Sequence, residues 1–414
     1  MTDGPRIDDI TAPEGRGSAA AIRAEVEAKE SAPVLGGLLS GIALALAMFL
    51  EALGYGIVAP TLPFLAQRFG AGEVGIGFLV SVYGAIGLVI AVPVMVLANR
   101  HGRRPTILFG LAALTFASIG FVFAPTYLWL VLARALQGVG GTAIWVGALT
   151  MAADLSPDSK MGRSLSWITG AWSLGFVIGP AMGGVGNVQT PFIIYAVLSG
   201  VAFVAGLAAL PESGRSGIRT TFAGIVRVLK RPPVLASAAA TFTLAFYYGA
   251  IEAFLPLMVH GTGVERIGIG LLFTVAGIPS IILPRLTGYL ADRIGDVRLI
   301  VAGMVFATVL NASFLLLFDT VPHWFLFFLV GLVEVFVYVP AAALLNRGVH
   351  RDDRIFATGS HNYAFNIGFF LGPVLGGMLI VVGGYVMLFS LLTVLMVATI
   401  IAVLATRAGS SGRA

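Results

Sequence analysis

Two stretches of this sequence, 106–133 and 378–406, contain no Asp, Glu, Lys or Arg at all. A helix of roughly 20 apolar residues crosses the hydrocarbon core of a bilayer. Only helices or closed barrels can satisfy their backbone groups there. Similar stretches recur along the 414 residues, which are 58% hydrophobic and 11% charged, where a soluble chain would carry about a quarter charged residues. The chain therefore reads as an all-α membrane protein.

Twelve spans are expected, over 37–66, 75–98, 106–124, 126–153, 164–186, 190–210, 236–260, 266–291, 299–318, 322–346, 358–381 and 384–406. They fall into a bundle of six helices at 36–210 and a second at 236–406, joined by a polar linker at 211–235. A tail at 1–35 lacks the positive start and short apolar core of a signal peptide. It is expected to be disordered apart from helix around Ala19–Glu30, and a short tail follows at 407–414.

Basic residues crowd the even-numbered connections: Arg100, Arg103 and Arg104; Lys160 and Arg163; Arg215, Arg219, Arg227, Lys230 and Arg231; Arg293 and Arg298; Arg347, Arg351 and Arg354. The odd-numbered ones hold Arg68 and Arg266. The positive-inside rule then puts both termini and the linker in the cytoplasm. The net charge of +5 thus reports topology, and nucleic acid is not an expected partner. The sequence has no cysteine, and its five histidines lack metal-ligand spacing, so neither a metal nor a cofactor is expected. No nucleotide-binding loop or GxSxG motif occurs, and an enzyme is not expected.

The chain repeats itself. "GFVIGPAMGG" at 175–184 returns as "GFFLGPVLGG" 193 residues later, at 368–377. The same offset lays "LANRHGRR" (97–104) on "LADRIGDV" (290–297), and Tyr55, Gly56 and Pro63 on Tyr248, Gly249 and Pro256. The two halves are parallel repeats about an axis along the membrane normal. Gly175, Gly179 and Gly183 share one helix face, as do Gly368, Gly372 and Gly376, and small residues at this spacing let backbones approach closely. Gly184 and Gly377 end the two strings. Pro180 and Pro373 each remove a backbone donor and should kink their helices.

These motifs resemble those of the major facilitator superfamily along nearly the whole chain. Gly175–Gly184 resembles the antiporter motif of its proton-coupled drug exporters, "RALQGVGG" (134–141) the helix 4 motif with a buried arginine, and Asn99, Arg100, Gly102 and Arg103 part of the loop 2–3 motif. The family usually has glycine at Met95 and aspartate at Asn99. The second half keeps both, as Gly288 and Asp292, followed by Arg293, so a weaker charge clamp is expected in the first half. "EAFLP" (252–256), "VEVFVYVP" (333–340) and "HNYAFNIGFFLGP" (361–373) also resemble the vesicular amine transporters, with Asn362 standing where that family has a carboxylate. The resemblance implies two pseudo-symmetric six-helix bundles, with helices 1, 4, 7 and 10 around a central cavity and helices 2, 5, 8 and 11 at the bundle interface. The protein is expected to act as a monomer in a bacterial or archaeal inner membrane.

Independently of any family, Glu51, Arg134, Glu252 and Glu334 lie well inside spans, and Arg285 lies nearer an end. A charge at the bilayer centre costs about 3 kcal/mol even on the mildest scale, so these groups must face a cavity or one another. Each glutamate has a tyrosine four residues away: Tyr55, Tyr248 and Tyr338. That spacing puts both side chains on one helix face. The ring offers a π-face to a cation or its hydroxyl simply satisfies the carboxyl. Glu51, Glu252 and Glu334 are the candidate proton carriers and Arg134 their modulator, or else a structural pair. Asn362 and Asn366 are expected to face the cavity. Trp145 and Trp172 line it or pack between helices 4 and 5. His361 could sense pH, though a structural role is the expectation. Asp154 and the "RDDR" run at 351–354 are read as solvated or gate contacts, and Arg285 as snorkelling to the interface.

A carboxyl in a low-dielectric site holds its proton to higher pH than one in water. The expected function is therefore exchange of protons for amphipathic, cationic small molecules. Two alternatives stay open: proton-coupled efflux of a neutral or anionic metabolite, siderophore or sugar, and a membrane receptor or scaffold that transports nothing.

Overall fold

The computed structural model describes residues 37–212, 222–350 and 353–411. The tail expected at 1–35, part of the linker and the last three residues lie outside these. Among the described residues the regular structure is entirely helical. The first half supplies α1 (Leu38–Val58), α2 (Glu73–His101), α3 (Arg103–Val122), α4 (Tyr127–Leu155), α5 (Met161–Gly183) and α6 (Thr190–Ala209). The second supplies α7 (Pro232–His260), α8 (Arg266–Ile282 and Pro284–Ile294), α9 (Asp296–Leu316) and α10 (His323–Arg347), then one helical run, Arg354–Ser411. That run has non-helical angles at Gly383 and Gly384, and Gly384 has φ +67°. It is thus two spans joined by a two-residue break, α11 (354–382) and α12 (385–411). With α8 counted as one bent span, twelve crossings result, as expected.

Two expected spans are interrupted, both at prolines. The first, 37–66, stops at Val58, turns over Ala59–Thr61 and resumes as a short helix at Leu62–Gln67, because Pro60 and Pro63 have no N–H to donate. The eighth bends by 53° between Ile282 and Pro284. Elsewhere the ends follow ordinary rules. Thr126 caps α4 by accepting from the Trp129 N–H, 3.4 Å away, and Pro191 and Pro232 open α6 and α7 where a missing donor costs nothing. Gly102 and Gly295, 193 residues apart, end α2 and α8 at φ +103° and +93°, a backbone state that side chains with a Cβ resist.

Within the first half α1 packs on α5 and α3 on α4; in the second α7 packs on α11 and α9 on α10. The halves meet through α2 with α11 and α5 with α8. The repeated glycines make both kinds of contact. A Cβ on Gly175 would strike the Phe49 carbonyl of α1, and one on Gly368 the Phe242 carbonyl of α7. Between the halves, the Pro180 carbonyl rests on Gly270 and the Pro373 carbonyl on Gly77, two contacts related by the same 193-residue offset. Gly184 lies against Ile267 and Gly377 against Val74, while Phe64 meets His260 edge-on at 5.1 Å. These contacts between the halves lie at the end away from the arginine-rich connections, where the two halves are closed against each other.

At the arginine-rich end the repeat inverts its charges. Buried Arg103 donates to the Asn99 side chain (2.8 Å) and the Ala98 carbonyl (2.7 Å), with its Nε 3.3 Å from Asp154. The matching positions in the second half hold Asp292, Asp296 and Arg347, and Arg347 binds both aspartates, Asp296 at 3.3 Å. Asn99 thus keeps an acceptor where the second half has the carboxylate of Asp292. The clamp in the first half is also the more deeply buried one, with Arg103 1% exposed against 53% for Arg347. Asp154, read as solvated or a gate contact, is the buried arginine's counter-ion. Arg100 is exposed, and Arg293 lies over the Tyr289 ring, 4.5 Å from its centre. Of the linker, Phe222–Leu229 is an eight-residue helix whose Val228 packs with Leu345, Val349 and Ala357. Asp353 pairs with Arg227 (3.3 Å) and Arg231 (2.5 Å).

Candidate functional site

The charged residues inside the spans converge between the two halves. Glu51, on α1, is 6% exposed and accepts from the Tyr83 hydroxyl of α2 (2.7 Å) and the Trp172 indole of α5 (2.6 Å). Space for this comes from Gly141 on α4, where a Cβ would run into both the Tyr83 hydroxyl and Glu51 Oε1. Gly141 stands at the position that Glu334 occupies in the second half.

Glu252, on α7, is 5% exposed and accepts from the Tyr55 hydroxyl of α1 at 2.8 Å. Its other oxygen, Oε1, lies 3.9 Å from Nη2 of Arg134 on α4, and neither atom has a hydrogen-bond partner. Arg134 is fully buried. Its Nη1 donates to Gln137 (2.7 Å), which donates in turn to the Gly54 carbonyl (2.9 Å), and its guanidinium covers the Tyr83 ring at 4.8 Å. A carboxylate of one half is therefore held by a tyrosine and an arginine of the other.

The expected tyrosine–glutamate pairs within one helix are not the ones that form. Tyr55 reaches past Glu51 to Glu252, and Tyr248 donates to the Val330 carbonyl at 3.0 Å. Tyr338 meets the His361 ring edge-on at 5.3 Å. A phenol carries its hydroxyl too far from the helix axis to fold back on a carboxylate one turn away, so it serves the facing helix. Glu334 is half-buried on α10, and its Oε2 is buried without a hydrogen-bond partner.

Aromatic rings surround this polar line. Tyr55 packs against Tyr83 (5.4 Å), Phe176 (5.9 Å) and Phe369 (5.8 Å). Trp172 stacks on Phe176 and meets Trp145 edge-on at 5.8 Å. A pocket lies on the closed side of this cluster, lined by Tyr55, Phe176, Tyr248, Glu252, Phe273 and Phe327 among others. Its walls are apolar and aromatic apart from one carboxylate and two phenols, the usual make-up of a small-molecule site.

The asparagines part company. Asn362 is exposed, whereas Asn366 lies against Gly87 of α2 in the bundle interface and donates to the Asn362 carbonyl (2.9 Å). Sequence reasoning missed Tyr83 and Gln137 as partners of the buried charges. Gln137 had a signal, an amide one helical turn from Arg134. Arg285 is exposed.

The family model described as Major Facilitator Superfamily matches this chain twice, over residues 44–268 and 238–413. The chain belongs to that superfamily. As a member it is an integral membrane transporter and not an enzyme. Among its relatives are Multidrug resistance protein 1 of Bacillus subtilis (strain 168), 25% identical over 80% of this chain and 87% of the relative, and the class G Tetracycline resistance protein of Vibrio anguillarum, 28% identical over 81% and 88%. The Chromaffin granule amine transporter of Rattus norvegicus is 26% identical over 76% of this chain and 62% of its own length. In fold the superfamily member resembles a mutant of the nucleoside transporter NupG, with a TM-score of 0.76 at 13% identity over 88% of this chain and 99% of that one.

Proposed function

We propose that this transporter exports amphipathic cationic small molecules in exchange for protons, with both termini and the arginine-rich connections in the cytoplasm of a bacterial or archaeal cell. The observation that carries the reading is the contact across the halves: Glu252 of the second half faces Tyr55 and Arg134 of the first. A proton on Glu252 removes its attraction to Arg134 and turns an acceptor into a donor. The charge state of one carboxyl thus biases whether the halves stay closed at this end. Glu51 supplies a second carboxylate, framed by Tyr83, Trp172 and, through Trp172, Trp145. A desolvated cation over such rings gains about 2 kcal/mol, and a cation beside a carboxyl favours release of its proton. Relatives named for multidrug and tetracycline resistance and for amine transport support export of drug-like molecules.

The binding half of this reading is tested by thermal stabilisation in detergent. A panel of amphipathic monocations, among them ethidium and tetraphenylphosphonium, is expected to raise the unfolding temperature of the wild type. Glu51→Gln and Glu252→Gln are expected to weaken that effect by about tenfold in apparent affinity, the loss of roughly one charge contact. Neutral or anionic compounds that stabilise better than every cation would transfer the site to another substrate class.

A further inference from the structure

Oε1 of Glu252 and Oε2 of Glu334 are both buried without a hydrogen-bond partner. Their carboxyls belong to two helices of the second half that pack on each other, α7 and α10, and one phenol joins them. Tyr248 stands four residues before Glu252, so the two share a face of α7. Its hydroxyl donates to the Val330 carbonyl of α10 at 3.0 Å and is also the side-chain hydrogen-bond partner of Glu334. Val330 stands four residues before Glu334 on α10. Tyr248, Glu252 and Val330 all line the aromatic pocket. Glu252 is therefore part of the pocket wall, and Glu334 stands at its edge, one turn nearer the arginine-rich end. Four residues of helix rise roughly 6 Å, which sets the difference in depth between the two carboxyls.

Their electrostatic surroundings differ. Glu252 has Arg134 at 3.9 Å. Among the described residues no lysine or arginine pairs with Glu334, and its partner is the neutral phenol. A carboxyl kept only for structure would have both oxygens satisfied. With Glu51 included, three carboxyls inside the spans meet one arginine, Arg134. When all are ionised, two negative charges are left over. A monocation balances one of them and a dication balances both.

We infer that Glu334 is a second cation subsite and that the pocket takes dications, with a ring-bearing charge beside Glu252 and a second charge on a short arm beside Glu334. This rests on the exporter reading above and names its substrate class. The rings of Phe176, Phe273 and Phe327 wall the Glu252 side, with Phe273 edge-on to Phe327 at 5.1 Å, so the aromatic part of a ligand belongs there. At the Glu334 end a carboxylate and the Tyr248 ring meet, a combination that suits a compact ammonium.

Ethidium and propidium make a matched pair for the test. They share one phenanthridinium, and propidium adds a second quaternary ammonium on a propyl arm. Each is used to displace labelled tetraphenylphosphonium from the purified full-length protein in detergent. The wild type is expected to bind propidium about tenfold more tightly than ethidium, as for one added charge contact. Glu334→Gln should bring that ratio to about one, whereas Glu334→Asp, which keeps the charge, should retain most of the preference. Glu252→Gln should weaken both dyes alike and leave the ratio standing. A wild type that binds ethidium but shows no preference for propidium would overturn the second subsite and leave the exporter reading in place. So would a preference that survives in Glu334→Gln, or one lost equally in Glu334→Gln and Glu334→Asp. A wild type that binds neither dye nor tetraphenylphosphonium would overturn the cation-exporter reading itself, and the subsite with it.

Discussion

At the scale of single residues, the site is a set of buried carboxyls whose donors come from other helices. Glu51 has two such donors, Tyr83 and Trp172. Removing one leaves a buried acceptor short of a partner, which costs about 1–3 kcal/mol. Tyr83→Phe is therefore expected to lower the unfolding temperature in detergent, and to cost clearly less in a Glu51→Ala background, which removes the acceptor, since coupled neighbours are not additive. Equal losses in both backgrounds would show that the Tyr83 hydroxyl does not serve Glu51. Glu51, Arg134, Glu252 and Glu334 were legible because a charge within an apolar span is costly and must face a partner or a cavity. Their partners were not. Tyr83 and Trp172 are aromatic residues in spans full of aromatic residues, and nothing in a linear sequence says which helix they face. The spacing of four between each glutamate and tyrosine was a true regularity read with the wrong geometry, because the phenol of Tyr55 reaches the opposite bundle.

At the scale of elements, the repeated glycines set how closely helices approach, and the sequence read this well for α5 and α11. Their reciprocal partners, Gly77 and Gly270, which receive the Pro373 and Pro180 carbonyls, went unread although the same offset lays "GIGFL" (75–79) on "GIGLL" (268–272). Gly270→Val is expected to wedge α5 from α8 and hold the closed end apart. The chain has no cysteine, so one introduced at Ala59, which lines the pocket at that end, reports the change alone. Maleimide labelling of that cysteine should rise severalfold in Gly270→Val, and transport should fall by about tenfold or more, as when one of two alternating states is penalised by at least 1.4 kcal/mol. Unchanged labelling would mean that the contact does not govern closure. Span boundaries failed where proline intervened. Pro60 sits inside a stretch whose hydropathy is continuous, and Pro284 follows an apolar run directly, so a composition window passes over breaks that the missing N–H imposes.

At the scale of the whole molecule, two halves of like architecture have been given unlike chemistry. The arginine-rich ends keep the same ion-pair geometry with the charges exchanged, Arg103 with Asp154 against Asp296 with Arg347. In the middle, Glu334 faces no counterpart, because its equivalent is Gly141. The repeat thus conserves the packing that lets one half rock against the other, while the buried charges break the symmetry and give the motion a chemical direction. That two-fold plan was readable from one offset of 193 residues. The link between the halves, Tyr55 and Arg134 on Glu252, was not, because it joins positions that no local pattern connects. The account stands or falls on whether this buried carboxyl chemistry couples the two fluxes. Proteoliposomes holding a pH-sensitive dye decide it: adding ethidium or tetraphenylphosphonium should trigger proton movement in the wild type, and Glu252→Gln should still exchange label while that movement falls by about tenfold or more, as for a lost proton-transfer group. Proton movement that persists undiminished with Glu51, Glu252 and Glu334 all replaced by glutamine would contradict it.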